Sequence, residues 1–242
     1  MVDTADLKYE IVNEDYPQYD LSFKIIVIGD SGVGKSSLTT KAIKNYFEEF
    51  YNTTVGFEFF TLTLRIQDKL IKLQIWDTCG QEIYKSLISS FYRNSSLAMM
   101  VYSIEKYIYF NNNYSSDSFS HIDSWLKEIK TQSNPDVKVF LIGNKIDLDD
   151  KRKVNKEDAE QYVKDNKLDY FIETSAKTGF NAKNVFIEAA KSLYIEHLRY
   201  KDRTSRPGSI SSYRQNSLPT PKKEVKLGED DNTQEKKEGC AC

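Results

Sequence analysis

Short apolar runs alternate with amphipathic stretches along the chain. Residues 23–28 (Phe-Lys-Ile-Ile-Val-Ile) are short and β-branched and meet Gly29 directly, which predicts a buried strand ending in a loop. A helix-compatible stretch follows from 35 to about 46. Two strand-like runs, 57–66 and 69–76, are separated by Gln67-Asp68 and predict an antiparallel hairpin. Residues 97–102 and 137–142 are further short apolar strands. Between them Phe119, Ile122, Trp125, Leu126 and Ile129 share one helical face, and Asn134-Pro135 ends the pattern. A helix over about 155–166, a strand over 170–173 and an amphipathic helix carrying Val185, Phe186, Ala189, Ala190, Leu193 and Tyr194 to about 197 complete the series. Strands alternating with helices predict an α/β fold whose mostly parallel sheet has helices on both faces.

Two segments break this rhythm. Residues 106–118 contain Tyr-Ile-Tyr-Phe-Asn-Asn-Asn-Tyr-Ser-Ser without a period and read as a surface insertion. From 198 to 242 the chain is rich in Ser, Pro, Lys and Glu and is expected to be a disordered tail, because it cannot bury enough apolar surface to offset its ordering entropy. Residues 1–21 form an acidic extension, with Asp3, Asp6, Glu10, Glu14, Asp15 and Asp20 against Lys8. The body between is expected to be one domain over 22–197.

Composition narrows the class. Of 242 residues, 39% are hydrophobic and 29% charged, which is globular, and the net charge of −2 gives no reason to expect a nucleic-acid partner. Three cysteines, Cys79, Cys240 and Cys242, do not make a disulfide framework. No signal peptide or membrane span is expected from the apolar runs.

Gly29-Asp30-Ser31-Gly32-Val33-Gly34-Lys35-Ser36 fits the G-x-x-x-x-G-K-[ST] phosphate loop at every position, between a predicted strand and a predicted helix, with Ser37 following. Its backbone N–H groups and the helix dipole suit phosphate oxygens, Lys35 suits the β and γ phosphates, and the Ser36 hydroxyl suits Mg²⁺. Asp77, at the end of a buried strand, is placed to hold a Mg²⁺-bound water; standing alone it would be a turn cap. Asn144-Lys145-Ile146-Asp147 follows another strand and selects the base. One carboxylate, that of Asp147, accepts both donors on the guanine edge, whereas adenine would leave it unpaired.

In order and spacing, the phosphate loop, Thr54, residues 76–82, residues 144–147 and Ser175-Ala176-Lys177 resemble the Ras superfamily over about 22–197. Within it the Rab family is most similar, through Thr54-Val55-Gly56-Phe57-Glu58-Phe59, Lys72–Thr78, Phe91-Tyr92-Arg93 and Glu173-Thr174-Ser175-Ala176-Lys177. The resemblance implies a P-loop G domain with a six-stranded sheet, one strand antiparallel, and about five helices. It implies that Thr54 meets Mg²⁺ and the γ-phosphate, that Gly80 donates its N–H to that phosphate, and that Gln81 orients the attacking water. Lys145 would lie along the base and the Ala176 N–H would meet the base carbonyl. Phe47 would pack on guanine and Tyr51 would cover the phosphates, although an ordinary half-buried aromatic is an equal reading of both.

The function implied is a GTP/GDP switch of vesicle traffic with slow intrinsic hydrolysis. Its implied partners are an exchange factor, an activating protein, effectors, an escort protein and a GDP-dissociation inhibitor. The ending Cys240-Ala241-Cys242 resembles the doubly prenylated Cys-X-Cys of Rab proteins, so a monomeric switch tethered to the cytoplasmic face of an endomembrane, Golgi or endosomal, and cycling with the cytosol is implied. Two other readings stand beside it: a GTP-gated scaffold with negligible hydrolysis, which Cys79 in a usual Ala position suggests, and an ATP-using kinase, which Asp147 opposes. Ile83-Tyr84-Lys85 also departs from the family pattern.

Overall fold

In a computed structural model the described residues are 4–12, 18–49, 54, 56–80, 91–105 and 118–204. The chain runs β1 (Tyr9–Val12), β2 (Leu21–Ile28), α1 (Lys35–Lys44), β3 (Phe57–Ile66), β4 (Lys69–Thr78), β5 (Leu97–Ser103), α2 (Ile122–Gln132), β6 (Lys138–Asn144), α3 (Lys156–Asn166), β7 (Tyr170–Glu173) and α4 (Asn184–Thr204). The strands form one sheet in the order β1-β3-β4-β2-β5-β6-β7. Strand β3 runs against both its neighbours; every other pair is parallel.

The hairpin β3–β4 forms where alternation predicts it, with Ile66 opposite Lys69 and Gln67 at φ 55° in the turn. The sheet, however, has seven strands rather than six. The additional strand, β1, comes from the acidic extension and covers the outer edge of β3 from Thr63 to Ile66. Exposed strand edges carry unpaired backbone groups, and these four residues satisfy them. Leu7, just before β1, is 3% exposed and belongs to the core, and the Lys191 ammonium of α4 sits 5.0 Å over the Tyr9 ring. The sheet and core therefore take in part of the segment read from composition as an extension.

Alternation along β2 divides the core. Ile25 and Val27 point to one face, where Leu38 and Ala42 of α1 and Val185, Phe186, Ala189 and Ala190 of α4 pack. Ile26 and Ile28 point to the other, against Ile122, Trp125, Leu126 and Ile129 of α2 and Ala159 of α3. Four α-helices lie among the described residues, against about five expected. Two limits shift. Helix α4 continues to Thr204, beyond the apolar pattern that stops near 197. Ser118, taken as the end of the insertion, is buried, and its hydroxyl accepts the Ser103 N–H at 3.0 Å. Among the described residues no helix is long and apolar enough to cross a membrane.

Candidate functional site

Strand β2 lies between β4 and β5: the chain leaves β2 to one side for β3, and the later crossover from β4 to β5 goes to the other. A crevice opens at such a point, outside the carboxyl ends of the strands, and among the described residues the phosphate loop, Thr54, Asp77, Gly80 and the segments 144–147 and 175–176 come together there. The phosphate loop, 29–36, leaves the end of β2 and enters α1 with Gly34 in the left-handed region at φ 93°. A Cβ on Gly34 would lie 2.5 Å from Asn144 Nδ2, so only glycine admits this approach. Lys35 is 5% exposed, and its ammonium donates to the Gly29 and Asp30 carbonyls, each at 2.8 Å. Burial lowers its pKa, while Asp77 and Asp30 pull it back up.

Beside Lys35 three hard oxygens converge. The Ser36 hydroxyl donates to Asp77 Oδ2, and Thr54 Oγ1 lies 2.6 Å from the same Ser36 oxygen. Ser36 has one proton and gives it to the carboxylate, so Thr54 is the donor to Ser36. Asp77 is fully buried, and its second oxygen, Oδ1, has no hydrogen-bond partner among the described residues. Burial raises its pKa to about 6, against the pull of the Ser36 bond and Lys35. A buried carboxylate oxygen without a partner, next to two hydroxyls, fits Mg²⁺, which binds few protein oxygens and completes its shell with water and phosphate.

Gly80 packs directly on the phosphate loop: a Cβ there would stand 2.3 Å from the Ser31 nitrogen and 2.5 Å from the Asp30 carbonyl carbon. Lys35, Ser36, Thr54, Asp77 and Gly80 are thus brought together around the phosphate loop.

The base motif is bonded within the protein. Asn144 is fully buried and serves as a strut. Its amide donates to the Val33 carbonyl at 2.9 Å, and its oxygen accepts the Thr174 hydroxyl at 3.1 Å and the Ala176 N–H at 3.2 Å. The Ala176 N–H, read as meeting the base carbonyl, donates to Asn144 in this structure, and Asn144 thereby joins the phosphate loop, β6 and the loop after β7. Asp147 is half-buried in the 3-10 segment Ile146–Lys151, and the buried Ser175 hydroxyl donates to its Oδ1. Lys145 turns the chain at φ 73° and its ammonium donates to Glu105 at 2.7 Å.

Arg152 then clamps Glu173 through both terminal guanidinium nitrogens, at 2.6 and 3.2 Å, and the hydrogen bond to Glu173 raises its pKa. Ser37 is half-buried in the first turn of α1, Phe47 is half-buried against the core, and Lys177 is exposed. Tyr51, Gln81, Cys240, Cys242 and residues 83–85 lie outside the described residues, as does 106–117 of the insertion.

Sequence reasoning missed Glu105, Arg152, His121 and Trp125. A charge five positions after Asp147 hinted at the Arg152 clamp, since Glu173 stands in a motif already marked. The other three touch the site through folding alone.

On the flank of the site, Phe57 and Phe59, each 49% exposed, stack with Trp76 and Phe91 at centroid distances of 4.7 to 5.4 Å. Clustered exposed aromatics of this kind mark a protein contact surface.

The sequence model of the Ras family matches residues 24–195. The chain is 43% identical over 174 residues to the Ras-related protein RHN1 of Nicotiana plumbaginifolia, an alignment covering 72% of this chain and 82% of that protein. With the same coverage it is 42% identical to the Ras-related protein RABF2a of Arabidopsis thaliana and 41% identical to the Ras-related protein Rab5 of Nicotiana tabacum.

Proposed function

Since the chain belongs to the Ras family of small GTPases, we propose that it is a Rab-type switch that binds GTP and GDP with Mg²⁺ and hydrolyses GTP slowly in the service of vesicle traffic. The observation that carries this reading is the convergence of Ser36, Thr54 and Asp77, with one buried carboxylate oxygen lacking a partner, beside a complete phosphate loop.

Ser36 and Thr54, with Asp77 beside them, would hold Mg²⁺, which when bound would supply positive charge to the β and γ phosphates. The chain's own residues do the rest. Backbone N–H groups of 29–36 cradle the phosphates, and Lys35 turns from its loop carbonyls toward the transferred group. Gly80 lies close enough to the loop to offer its N–H to the γ-phosphate, and Gln81 next to it orients water. Asp147, steadied by Ser175, accepts the two donors of guanine. Loss of the γ-phosphate releases Thr54 and Gly80, and the aromatic face of Phe57, Phe59, Trp76 and Phe91 reports this change to effectors. Two prenyl groups on Cys240 and Cys242 hold the switch at the cytoplasmic face of an endomembrane, from which escort and dissociation-inhibitor proteins retrieve it.

Equilibrium binding of GTP, GDP and ATP with Mg²⁺ tests this directly. Guanine nucleotides are expected to bind at least about a thousandfold tighter than ATP. Asp147→Asn should lose guanine binding and gain xanthine binding, because an amide donates to the xanthine carbonyl. Equal binding of ATP would overturn the reading. Single-turnover hydrolysis with an activating protein separates the timer from a scaffold, which would show no release of phosphate.

A further inference from the structure

Asp30 has a use that the phosphate-loop motif does not require. Its main-chain carbonyl accepts one of the two Lys35 bonds at 2.8 Å, and the Gly80 backbone packs against the same carbonyl. Its carboxylate turns the other way, toward the start of α2. Trp125 Nε1–H donates to Oδ1 at 2.8 Å, and His121 Nδ1–H donates to Oδ2 at 2.7 Å.

The indole is rigid. Trp125 is 7% exposed and belongs to the core shared by β2, β5 and α2, so packing fixes where its N–H points. His121 occupies the N-cap position of α2 yet makes no capping bond with its side chain, which reaches Asp30 instead. Both carboxylate oxygens are thereby engaged by one element, 91 and 95 positions away in sequence. A carboxylate in a phosphate loop repels an anionic ligand unless it is held aside and its charge offset. Two donors, one mounted on the core and one at the mouth of α2, do both.

We propose that His121 and Trp125 are positioning residues of the nucleotide site: by gripping Asp30 they fix the loop that carries Lys35, and so set the rate at which nucleotide leaves. This rests on the guanine-nucleotide reading above. The hub is Asp30, which contacts Lys35 with its backbone and α2 with its side chain, so strain on one is felt by the other.

The experiment is release of a fluorescent GDP analogue from the full chain in Mg²⁺, chased by excess GDP. Trp125→Phe keeps the aromatic packing and deletes the N–H, and is expected to speed release about tenfold, the loss of one charge-assisted bond. His121→Ala should speed it severalfold. His121→Asn, whose side-chain N–H lies where the imidazole Nδ1–H does, should restore the wild-type rate. In an Asp30→Ala background Trp125→Phe should add nothing, because its partner is gone. Release at the wild-type rate from both Trp125→Phe and His121→Ala overturns the proposal. So does a Trp125→Phe effect of the same factor with and without Asp30, which assigns it to packing. The His121 variants, on a half-exposed side chain, keep the test standing if Trp125→Phe does not fold. A wild-type chain that takes up no GDP overturns the guanine-nucleotide reading and this proposal with it, and that result is seen before any variant is compared.

Discussion

The base side and the phosphate side of the crevice are built on opposite plans. On the base side polar groups answer one another within the protein: Asn144 bonds to Val33, Thr174 and Ala176, Ser175 steadies Asp147, and Arg152 grips Glu173. On the phosphate side Asp77 is as deeply buried as Asn144 but leaves an oxygen without a partner. A satisfied network is a rigid template, whereas an unsatisfied buried carboxylate is destabilising until a ligand meets it. On the proposed function, selectivity would rest on a template built in advance, and ligand binding on the other side would be coupled to stability.

The sharpest way to break this contrast is Asn144→Ala. It removes four hydrogen bonds and leaves the Thr174 hydroxyl and Ala176 N–H buried without their acceptor. The expected loss is about 3 kcal/mol of folding stability in the absence of nucleotide, read by urea unfolding. An unchanged midpoint, with only nucleotide affinity reduced, would mean that Asn144 reads ligand rather than braces the fold.

Asp77→Asn should behave in the opposite sense. The folded-state pKa of Asp77 is raised from 3.8 to about 6, so its protonated form is the one the fold favours. Below 3.8 burial of this group costs nothing; the penalty grows as pH rises between these values and is complete above about 6. Without metal, the amide variant should be about 3 kcal/mol more stable than wild type at pH 7.5, with the difference vanishing by pH 3.8. It should lose most of the Mg²⁺ dependence of nucleotide binding. A variant less stable than wild type at pH 7.5 would show that Asp77 is satisfied by the fold, and the two sides would then be alike.

Sequence legibility divides along the same line. The phosphate loop, the β3–β4 hairpin and the residues converging at Ser36 and Asp77 were readable because each is set by local chemistry: a loop motif, alternation about a two-residue turn, a carboxylate at a strand end. Thr54 and Gly80 were reachable only by resemblance, since nothing local predicts that they fold onto the loop. Strand β1 was hidden, because four residues with Glu10 among them are too short and too acidic to stand out, and their pairing with Thr63–Ile66 is a tertiary fact. The 144–147 motif was legible as the selector of the base, but nothing local shows that both ends of the Asn144 amide are committed, across more than a hundred positions to Val33 and across thirty to Thr174. The grip of α2 on Asp30 has no local signal at all.

The smallest effect comes from the far end of the sheet and serves as the control for the other two. Asp20, just before β2, accepts the Leu70 N–H at 2.8 Å and the Lys69 ammonium at 3.3 Å. The Leu70 backbone bond, ahead of the lysine, lowers its pKa below 3.8. A lowered carboxyl pKa contributes stability that is present above 3.8 and fades as pH falls through the folded value. The side chain is 41% exposed, so solvent screens the charge, and Asp20→Asn keeps an oxygen for Leu70. The expected cost is therefore only about 0.5 kcal/mol at pH 7, shrinking on acidification. Guanine-nucleotide affinity should be unchanged, because the residue lies at the opposite end of β2 from the phosphate loop. If Asp20→Asn weakened GDP binding as much as a site variant does, the coupling seen at Asp77 would belong to the sheet as a whole rather than to one orphaned oxygen, and the contrast between the two sides of the crevice would lose its meaning.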